Sequence, residues 1–493
     1  MIEPVADKTQ QLLYIAPANP AGKALAERLA AQGYVIVGLA DNLKQGAGLI
    51  NTAQQAKAGA IIVLVPGAFT ARVAAGLLAR GFRKQQLWSV DASDRLKRYR
   101  LPLGHYWNAL RAMLLSAVFG TLRAVVPRSG YLYYAEGFFD SNVLLCYREH
   151  QRQQPEQAWL LGRRLKQQLP ELMQDHHFFG RMSLYALWRC LRAKALVVDH
   201  EYTGQTFSLL RQHIPVFQLW HGLPYKALSG NAHYPQLCDQ AFISSSAWFN
   251  QHIFPKIFRA KAYLALGYPR NDAFLQQSEQ RDWINAEPLT LLRSVQQTTG
   301  ELMVYAPTYR DWGDNDYPLN LAELEQWCSH HHVSFILKFH PFISRKFGDA
   351  MGLAEQDSLQ ALPELPHIYL YPSGKNIYPW LAEAKALITD YSSIAFDFML
   401  ADRAIFYYQY DLAQYKSLRG ATLIPDEQFV MGQVSGNQTE LLTQLSDWLQ
   451  QGEPAHCLTK RHELAALFYQ QPATAADEIV AFVRQHDNLN PTC

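Results

Sequence analysis

The chain has 493 residues, which is more than one ordinary hydrophobic core accommodates and predicts two or three domains. Hydrophobic residues make up 49% and charged residues 18%, a composition typical of a folded globular protein. The 45 basic and 43 acidic residues leave a net charge of only +2, so no global signature of a nucleic-acid-binding protein is present.

Cysteine spacing and hydropathy narrow the class of protein further. The six cysteines are scattered, and no two have the C-x-x-C spacing of a zinc or redox site. We therefore expect reduced thiols, a cytoplasmic protein and no metal site. The amino-terminal sequence MIEPVADKTQQ is not a signal peptide, and no run of 18 or more apolar residues predicts a membrane-spanning helix.

Residues 1–100 are predicted to form a small α/β module. Four short apolar runs are predicted strands: 12–16, 34–40, 60–65 and 87–91. An alanine-rich helix at 21–32 alternates with them, which indicates a parallel sheet. The segment 17–24 lacks the first glycine of a phosphate-binding loop, and Ala24 replaces its Ser or Thr. We expect a structural or regulatory module of unknown role.

Residues 105–126 are predicted to form an amphipathic helix. Apolar residues recur at a spacing of three and four, and Arg111 and Arg123 fall among the remaining positions. Two interpretations stay open. Either the apolar face packs on a protein core, or it lies in the surface of a bilayer with Trp107 as an anchor.

Two further α/β units are predicted, at 101–270 and 271–493. Four of their predicted strands end in polar clusters suited to phosphate: 216–226, 302–311, 335–341 and 386–397. In open parallel α/β sheets, ligands bind just beyond the carboxyl ends of the strands. We therefore expect these clusters to converge on one crevice that binds an anionic substrate.

The first cluster, WHGLP at 220–224, holds His221 at a strand tip because Gly222 and Pro224 turn the chain at once. A histidine with a pKa near neutrality can take a proton from an attacking hydroxyl. The alternative is a structural histidine bonded to a neighbouring carbonyl. Lys226 can hold a phosphate as a point charge.

The second and third clusters add cationic and hydroxyl groups. Arg310 offers a planar fork for two phosphate oxygens, and Thr308 offers one more hydrogen bond. The alternative for Arg310 is a surface ion pair with a nearby aspartate. Lys338 and His340 share one face of a predicted strand, where a phosphate would satisfy both.

The fourth cluster, TDYSS, lies between a predicted strand and a predicted helix. Ser392 or Ser393 occupies the N-cap position, where free N–H groups attract anions. Asp397 lies one turn into the helix and is expected to orient the loop. The candidate phosphate-binding residues of this part of the chain are Thr389, Asp390, Ser392, Ser393, Asp397 and Arg419.

Six motifs occur in the order found in CDP-glycerol:glycerophosphate glycerophosphotransferases, a family that includes teichoic-acid primases and polymerases. They are WHGLPYK, GYPRND, YAPTYR, KFHP, TDYSSIAFDF and IFYYQYDLAQYKSLRG. The chain resembles this family from about Gly130 to Val480. The resemblance implies a GT-B architecture, in which two Rossmann-like domains face a cleft. Domain 101–270 would bind the acceptor, and domain 271–493 would bind the CDP-linked donor.

The resemblance also implies a reaction. An acceptor hydroxyl attacks the β-phosphorus of the donor, and CMP leaves. His221 would be the general base and His340 a second catalytic residue, with Arg310, Ser392 and Ser393 at phosphate-binding positions. The expected partners are CDP-glycerol or a related CDP-polyol, a lipid-linked or glycan acceptor and the cytoplasmic face of the inner membrane. No nucleic acid and no firm cofactor are predicted, and Mg²⁺ dependence stays open.

The sequence departs from the family at two places. The identity of the alcohol in the CDP-linked donor therefore stays open, and glycerol, ribitol or another alcohol could fit. Asn376 stands in a segment where the family often has aspartate, and ATLIPDE follows Arg419 and Gly420, which could contact the remote end of the donor. Two other functions also remain. One is a nucleotide-sugar glycosyltransferase of the same fold, which would release a nucleoside diphosphate. The other is a non-catalytic CDP-alcohol-binding protein at the membrane surface.

Overall fold

The computed structural model describes most of the chain. The described residues are 11–41, 49–50, 52–67, 69–135, 142–162, 177–179, 182–202, 204–225, 238–275, 286–310, 318–353, 358–419, 423, 425–469 and 474–486. They divide into two compact units. Unit 1 holds the described residues up to 121 together with 204–209, and unit 2 holds those of 122–202, 210–225 and 238–486.

Unit 1 is built on a six-stranded sheet with the order β3-β2-β1-β4-β5-β6. Its strands are β1 (Leu12–Ala16), β2 (Val35–Ala40), β3 (Leu49–Ile50), β4 (Ile61–Leu64), β5 (Leu87–Val90) and β6 (Leu96–Arg98). Five strands are parallel, and β6 is antiparallel to β5. Helices α1 (Pro20–Ala31) and α2 (Thr70–Ala79) complete it. The four strands expected from the apolar runs coincide with β1, β2, β4 and β5.

Helix α3 (Leu103–Val125) carries the amphipathic pattern. Its apolar stripe is exposed rather than packed: Trp107 is 69% exposed, and Met113 and Val118 are also exposed. Arg123, expected on the polar face, is instead buried and donates to the backbone carbonyls of Cys190, Leu191 and His213. Among the described residues, no helix combines the length and the apolar character needed to cross a bilayer.

Unit 2 contains two seven-stranded sheets. The first has the order β13-β12-β11-β10-β7-β8-β9, and every pairing in it is parallel. Its strands are β7 (Gly130–Tyr134), β8 (Ala158–Leu161), β9 (Phe178–Phe179), β10 (Ala193–Val198), β11 (Val216–Gln218), β12 (Ala241–Ser244) and β13 (Tyr263–Ala265). The intervening helices are α4 (Asn142–Gln153), α5 (Leu184–Arg192), α6 (Gln205–His213, of which 205–209 are assigned to unit 1) and α7 (Ala247–His252).

The second sheet of unit 2 has the order β16-β17-β15-β14-β18-β19-β20. Its strands are β14 (Glu301–Tyr305), β15 (Val333–Leu337), β16 (Gln360–Leu362), β17 (Leu365–Leu370), β18 (Ala386–Thr389), β19 (Ala404–Tyr408) and β20 (Gln433–Ser435). Only the β16–β17 pairing is antiparallel. Its helices are α8 (Leu289–Thr299), α9 (Leu321–His331), α10 (Pro341–Ala350), α11 (Tyr378–Leu381), α12 (Ile394–Phe398), α13 (Leu412–Arg419), α14 (Asp426–Phe429) and α15 (Gln438–Gln451).

The last two helices are α16 (Ala455–Phe468) and α17 (Ala475–Gln485). Helix α17 packs on the first sheet of unit 2, because Ile479, Val480 and Val483 share a buried core with Tyr133 and Phe217. The chain therefore returns to the first sheet at its end, whereas the expected boundary at 271 assigned this helix to the other domain.

An apolar core runs between the two sheets of unit 2. Phe249 on α7 lies 6.1 Å from Phe396 on α12 and 5.0 Å from Phe468 on α16, measured between ring centroids. Leu223 and Tyr225, which follow β11, belong to the same buried cluster. The segment that carries His221 is thus packed into the junction of the two sheets.

A buried ion pair also joins these sheets. Arg270, in the 3-10 helix Pro269–Phe274, donates from Nη2 to Oδ2 of Asp397 on α12 at 2.5 Å. The hydroxyl of Tyr378 donates to the same oxygen at 2.6 Å. Arg270 is 6% exposed and Asp397 is fully buried. Each charge therefore depends on the other for the compensation that water would otherwise provide.

Replacing Arg270 with leucine should lower the free energy of unfolding of unit 2 by about 3–5 kcal/mol, because Asp397 would remain as an unpaired buried charge. The double variant R270L/D397L should recover part of this loss. Urea denaturation measures both. The control is Arg152→Leu, which removes the exposed ion pair with Glu149 and should change stability little. An equally small effect of R270L would contradict the role of the buried pair.

Candidate active site

Three of the four expected clusters follow adjacent parallel strands of the second sheet of unit 2. Strand β14 lies between β15 and β18, so the segments after them leave the same edge. Backbone hydrogen bonds continue past the strands: Lys338 N donates to Tyr305 O, and Ala306 N donates to Ile388 O, both at 2.9 Å. The structure therefore brings these three clusters together.

Arg310 is at the centre of this edge and is fully buried. Its Nε and Nη2 donate to the two carboxylate oxygens of Asp411 at 2.7 and 3.0 Å. Its Nη1 lies 2.7 Å from Asp390 Oδ2. Burial opposes the charge, but Asp390 and Asp411 prevail and raise the pKa of Arg310. The fork expected to grip a phosphate is thus occupied by two carboxylates of the protein itself.

Asp390, Thr389 and Thr308 are buried as well, and their described contacts are internal. The carboxylate of Asp390 accepts from Thr308 N at 2.8 and 3.0 Å. The hydroxyl of Thr389 donates to Ala306 O at 2.8 Å. These contacts tie the segment after β14 to the segment after β18. Thr389 and Asp390 therefore shape the loops, and their expected contacts to phosphate stay a prediction.

Lys338 and His340 differ from this buried group in their exposure. Lys338 is half-buried, with Nζ 5.7 Å from the ring centroid of Tyr371. His340 is exposed and stacks on Tyr309 at 4.5 Å. Partial burial and the charge of Lys338 lower the pKa of His340, which favours a neutral imidazole near pH 7. Both side chains are therefore accessible to solvent.

Ser392 and Ser393 are partly exposed at the start of α12. Ser393 is the N-cap residue, but its side chain makes no capping hydrogen bond. The Oγ of Ser392 accepts a long hydrogen bond of 3.4 Å from Ile394 N. Capping therefore uses little of the hydrogen-bonding capacity of these hydroxyls.

His221 follows β11 in the first sheet and lies between two aromatic rings. Its ring centroid is 4.1 Å from that of His200 and 4.1 Å from that of Trp220. Its Nδ1 lies 3.0 Å from Asp199 O, which assigns the proton to Nδ1 and leaves Nε2 as an acceptor. Burial and, to a smaller extent, the neighbouring His200 lower the pKa of His221 to about 3, well below the near-neutral value expected from the sequence. The imidazole is therefore neutral near pH 7.

The backbone around His221 adopts an uncommon conformation. Trp220 has φ +53° although it is not glycine, and Gly222 has φ +132°. Asn142 Nδ2 donates to Trp220 O at 2.9 Å, which helps to hold this conformation. A Cβ at position 222 would stand 2.3 Å from Nη2 of Arg270, so only glycine fits this close approach.

These contacts connect His221 to the second sheet through named neighbours. Gly222 lies against the guanidinium of Arg270, Arg270 is paired with Asp397, and Asp397 follows Ser393 by four residues on α12. Asn142 extends the network, because its Oδ1 accepts from Arg270 N at 3.2 Å. Asp397, expected to orient the loop, is thus engaged in the interaction that relates the two sheets.

Two expected site residues cannot be placed. Lys226 lies outside the described residues, and Arg419 ends α13 with its side chain outside them. Sequence reasoning in turn missed the roles of Arg270 and Asp411. Arg270 belongs to the quoted motif GYPRND, but a single arginine in a motif does not reveal a partner 127 residues away.

Comparison with known proteins identifies the family of this chain. Residues 137–484 match the family model described as CDP-Glycerol:Poly(glycerophosphate) glycerophosphotransferase. The teichoic acid ribitol-phosphate primase of Bacillus spizizenii is 26% identical over 285 residues, which cover 53% of this chain and 67% of the primase. The teichoic acid poly(glycerol phosphate) polymerase of Bacillus subtilis is 27% identical over 274 residues, covering 49% and 33%. The matched region thus spans from a third to two thirds of these relatives.

The fold has a solved counterpart in the wall teichoic acid polymerase TagF. That structure matches with a TM-score of 0.56 at 18% identity and covers 79% of this chain and 98% of its own. The likeness extends to the mixed α/β architecture rich in parallel strands. Because the family model covers well over half of the sequence, the chain belongs to the CDP-glycerol:poly(glycerophosphate) glycerophosphotransferase family.

Proposed function

We propose that this chain transfers glycerol phosphate, or a related polyol phosphate, from a CDP-linked donor to a hydroxyl of a lipid-linked or glycan acceptor. CMP is the leaving group, and the product extends a teichoic-acid-like or other surface polymer. Family membership supports the reaction class. The observation that carries it is the chain of contacts from the loop of His221, through Arg270 and Asp397, to the helix that begins after Ser393.

In this proposal the two sheets of unit 2 are the Rossmann-like halves of a GT-B enzyme. The sheet β7–β13 provides the acceptor side and the base, and the sheet β14–β20 provides the donor side. Ligands in open parallel sheets bind beyond the carboxyl ends of the strands, which is where His221, Lys338, His340 and Ser392 are found. Unit 1 has no assigned part in the reaction.

His221 is the proposed general base. The acceptor hydroxyl transfers its proton to Nε2, and its oxygen bonds to the β-phosphorus. The bond from that phosphorus to the bridging oxygen breaks, and its electron pair leaves with CMP. The hydrogen bond to Asp199 O and the flanking rings fix the imidazole in one plane. A positioned base contributes about 10²–10⁴-fold to the rate.

The donor diphosphate is assigned to Lys338, His340, Ser392 and Ser393, because these side chains are accessible at the strand ends. Phosphoryl transfer depends mainly on positioning and on neutralising charge, so a cation and several hydrogen-bond donors suffice for this role. Lys226 and Arg419 remain sequence-based expectations. Arg310 is assigned a positioning role, because its ion pairs with Asp390 and Asp411 shape the loops that present these residues.

Helix α3 is the proposed contact with the cytoplasmic face of the membrane. Its exposed apolar side chains include Leu103, Trp107, Leu114 and Val125. A stripe of this kind along a 23-residue helix exceeds the scattered apolar exposure of ordinary protein surfaces. An apolar face with an aromatic anchor is the pattern of helices that lie in a membrane interface. Such attachment would bring the enzyme to a lipid-linked acceptor.

The released nucleotide tests the function. Purified protein should release CMP from CDP-glycerol or CDP-ribitol in the presence of an acceptor, and release of UDP from UDP-sugars would contradict the proposal.

His221→Ala should lower the turnover by about 10²–10⁴-fold while donor affinity persists, because only the base is lost. His252→Ala is the matched control, because it removes an exposed histidine from α7, next to the same sheet. Turnover of H221A equal to that of the control would refute the base.

Arg310→Lys tests the positioning role. Lysine keeps the charge but loses the fork, so a carboxylate of Asp390 or Asp411 would lack a donor, and the free energy of unfolding should fall by about 1–3 kcal/mol without any ligand. Chemical denaturation measures the change, with Arg152→Lys as the exposed control. Unaltered stability together with a selective loss of donor affinity would instead return Arg310 to direct phosphate binding.

Trp107→Glu tests the membrane contact. Placing a charge in the apolar stripe should weaken binding to anionic lipid vesicles about tenfold or more, because one large side chain no longer leaves water. Vesicle sedimentation measures the bound fraction. Asn108→Glu adds the same charge beside the stripe and should have a smaller effect. Equal binding of W107E and wild-type protein would exclude α3 as the membrane contact.

A further inference from the structure

A cavity of about 410 Å³ lies beside the first sheet of unit 2, apart from the candidate active site. The side chains that matter for its chemistry are Tyr131, Gln154, Gln157, Lys194, Arg484 and Gln485. Tyr131 and Lys194 lie at the amino ends of β7 and β10, whereas His221 follows the carboxyl end of β11 in the same parallel sheet. The cavity is therefore at the opposite edge of the sheet from His221.

The lining of this cavity is cationic. Lys194 and Arg484 both line it, and no carboxylate is among its described lining residues. Arg484 donates from Nη1 to Gln153 Oε1 over 3.4 Å, a long and weak contact. The nearby carboxylates of Glu149 and Asp477 accept hydrogen bonds from Gln153 Nε2 at 2.7 Å each. Two positive charges in one partly buried space attract an anion.

A buried histidine with an unpartnered ring nitrogen lies behind the cavity, within the described part of the chain. His150 is fully buried, and its ring lies 5.0 Å from that of Tyr131. Its Nδ1 is 2.9 Å from the hydroxyl of Tyr133, and Nε2 has no partner among the described residues. Burial and, to a smaller extent, the charge of Arg484 lower the pKa of His150 to about 4, although the charge of Glu149 acts in the opposite direction.

The polar side chains that line the cavity can form hydrogen bonds with the hydroxyl groups of a ligand as well as with an anion. Three glutamine amides offer both donors and acceptors, and Gln154 Oε1 is buried without a partner among the described residues. Unmet polar atoms in a concave site mark a place where a ligand or water completes the hydrogen bonds. The volume falls within the range of small-molecule sites, which is roughly 300–1,000 Å³.

We propose that this cavity binds a small polyhydroxylated phosphomonoester, with the phosphate between Lys194 and Arg484 and the hydroxyls among the glutamine amides. A phosphomonoester carries close to two negative charges, which match the two cations. The arginine fork and the lysine point charge are the usual protein partners of phosphate. The site is independent of the proposed transfer reaction and shares none of its residues.

Calorimetric titration of the full chain with glycerol 3-phosphate tests the site. The wild-type protein should show saturable binding, and the double variant K194Q/R484Q should bind about 100-fold more weakly, because two charge-assisted contacts are lost. The control K256Q/R259Q removes the same charge from exposed positions of unit 2 and should bind like wild-type protein. A thermal melt confirms that both variants are folded.

Three outcomes would overturn the proposal. One is the absence of saturable binding by folded wild-type protein at millimolar ester. Another is equal affinity of K194Q/R484Q and the control, which would move the binding elsewhere in the chain. The third is inorganic phosphate that binds as tightly as the ester, which would exclude the glutamine contacts to hydroxyls. Unchanged binding of CDP-glycerol by K194Q/R484Q is expected, since the donor site lies at the other edge of the sheets.

Discussion

The ion pair between Arg270 and Asp397 is the interaction on which the arrangement of the candidate site depends. It lies at the junction of two separate sheets, where both charges are almost completely shielded from water. A buried pair adds little net stability compared with apolar residues, but it tolerates little displacement, because separation leaves two uncompensated charges. The pair therefore restricts the relative placement of the 3-10 helix after β13 and of α12. Since Gly222 contacts Arg270, the same restriction extends to the loop that carries His221.

A second buried charge cluster lies at the carboxyl edge of the sheet β14–β20. Arg310 lies among Asp390, Asp411 and the ring of Tyr391, 5.2 Å away. Its hydrogen bonds within the described part of the chain are made to the protein, which supports the proposed role of Arg310 in shaping the loops. Lys338 and His340, at the same edge of the sheet, remain accessible to solvent.

Much of the fold follows from local pattern. Short apolar runs such as 12–16, 303–306 and 386–389 have the length and composition of buried strands, and the structure has strands at 12–16, 301–305 and 386–389. The three clusters after β14, β15 and β18 also meet as expected, because parallel neighbours share a carboxyl edge. Helix α3 was ambiguous for a physical reason: an amphipathic pattern specifies an apolar face but not what covers it.

The sequence by itself determined the strands, the polar character of their ends and the family to which the chain belongs. Tertiary structure alone decided which polar groups form hydrogen bonds and ion pairs inside the protein. Arg310 and Lys338 look equally suited to phosphate in the sequence, yet Arg310 is fully buried between two carboxylates and Lys338 is half-exposed. Arg310 is buried against Asp390, which is 80 residues away in the sequence. The pair Arg270–Asp397 is likewise separated by 127 residues. Burial and pairing of charges are properties of the packed chain, because they depend on which distant segments exclude water together.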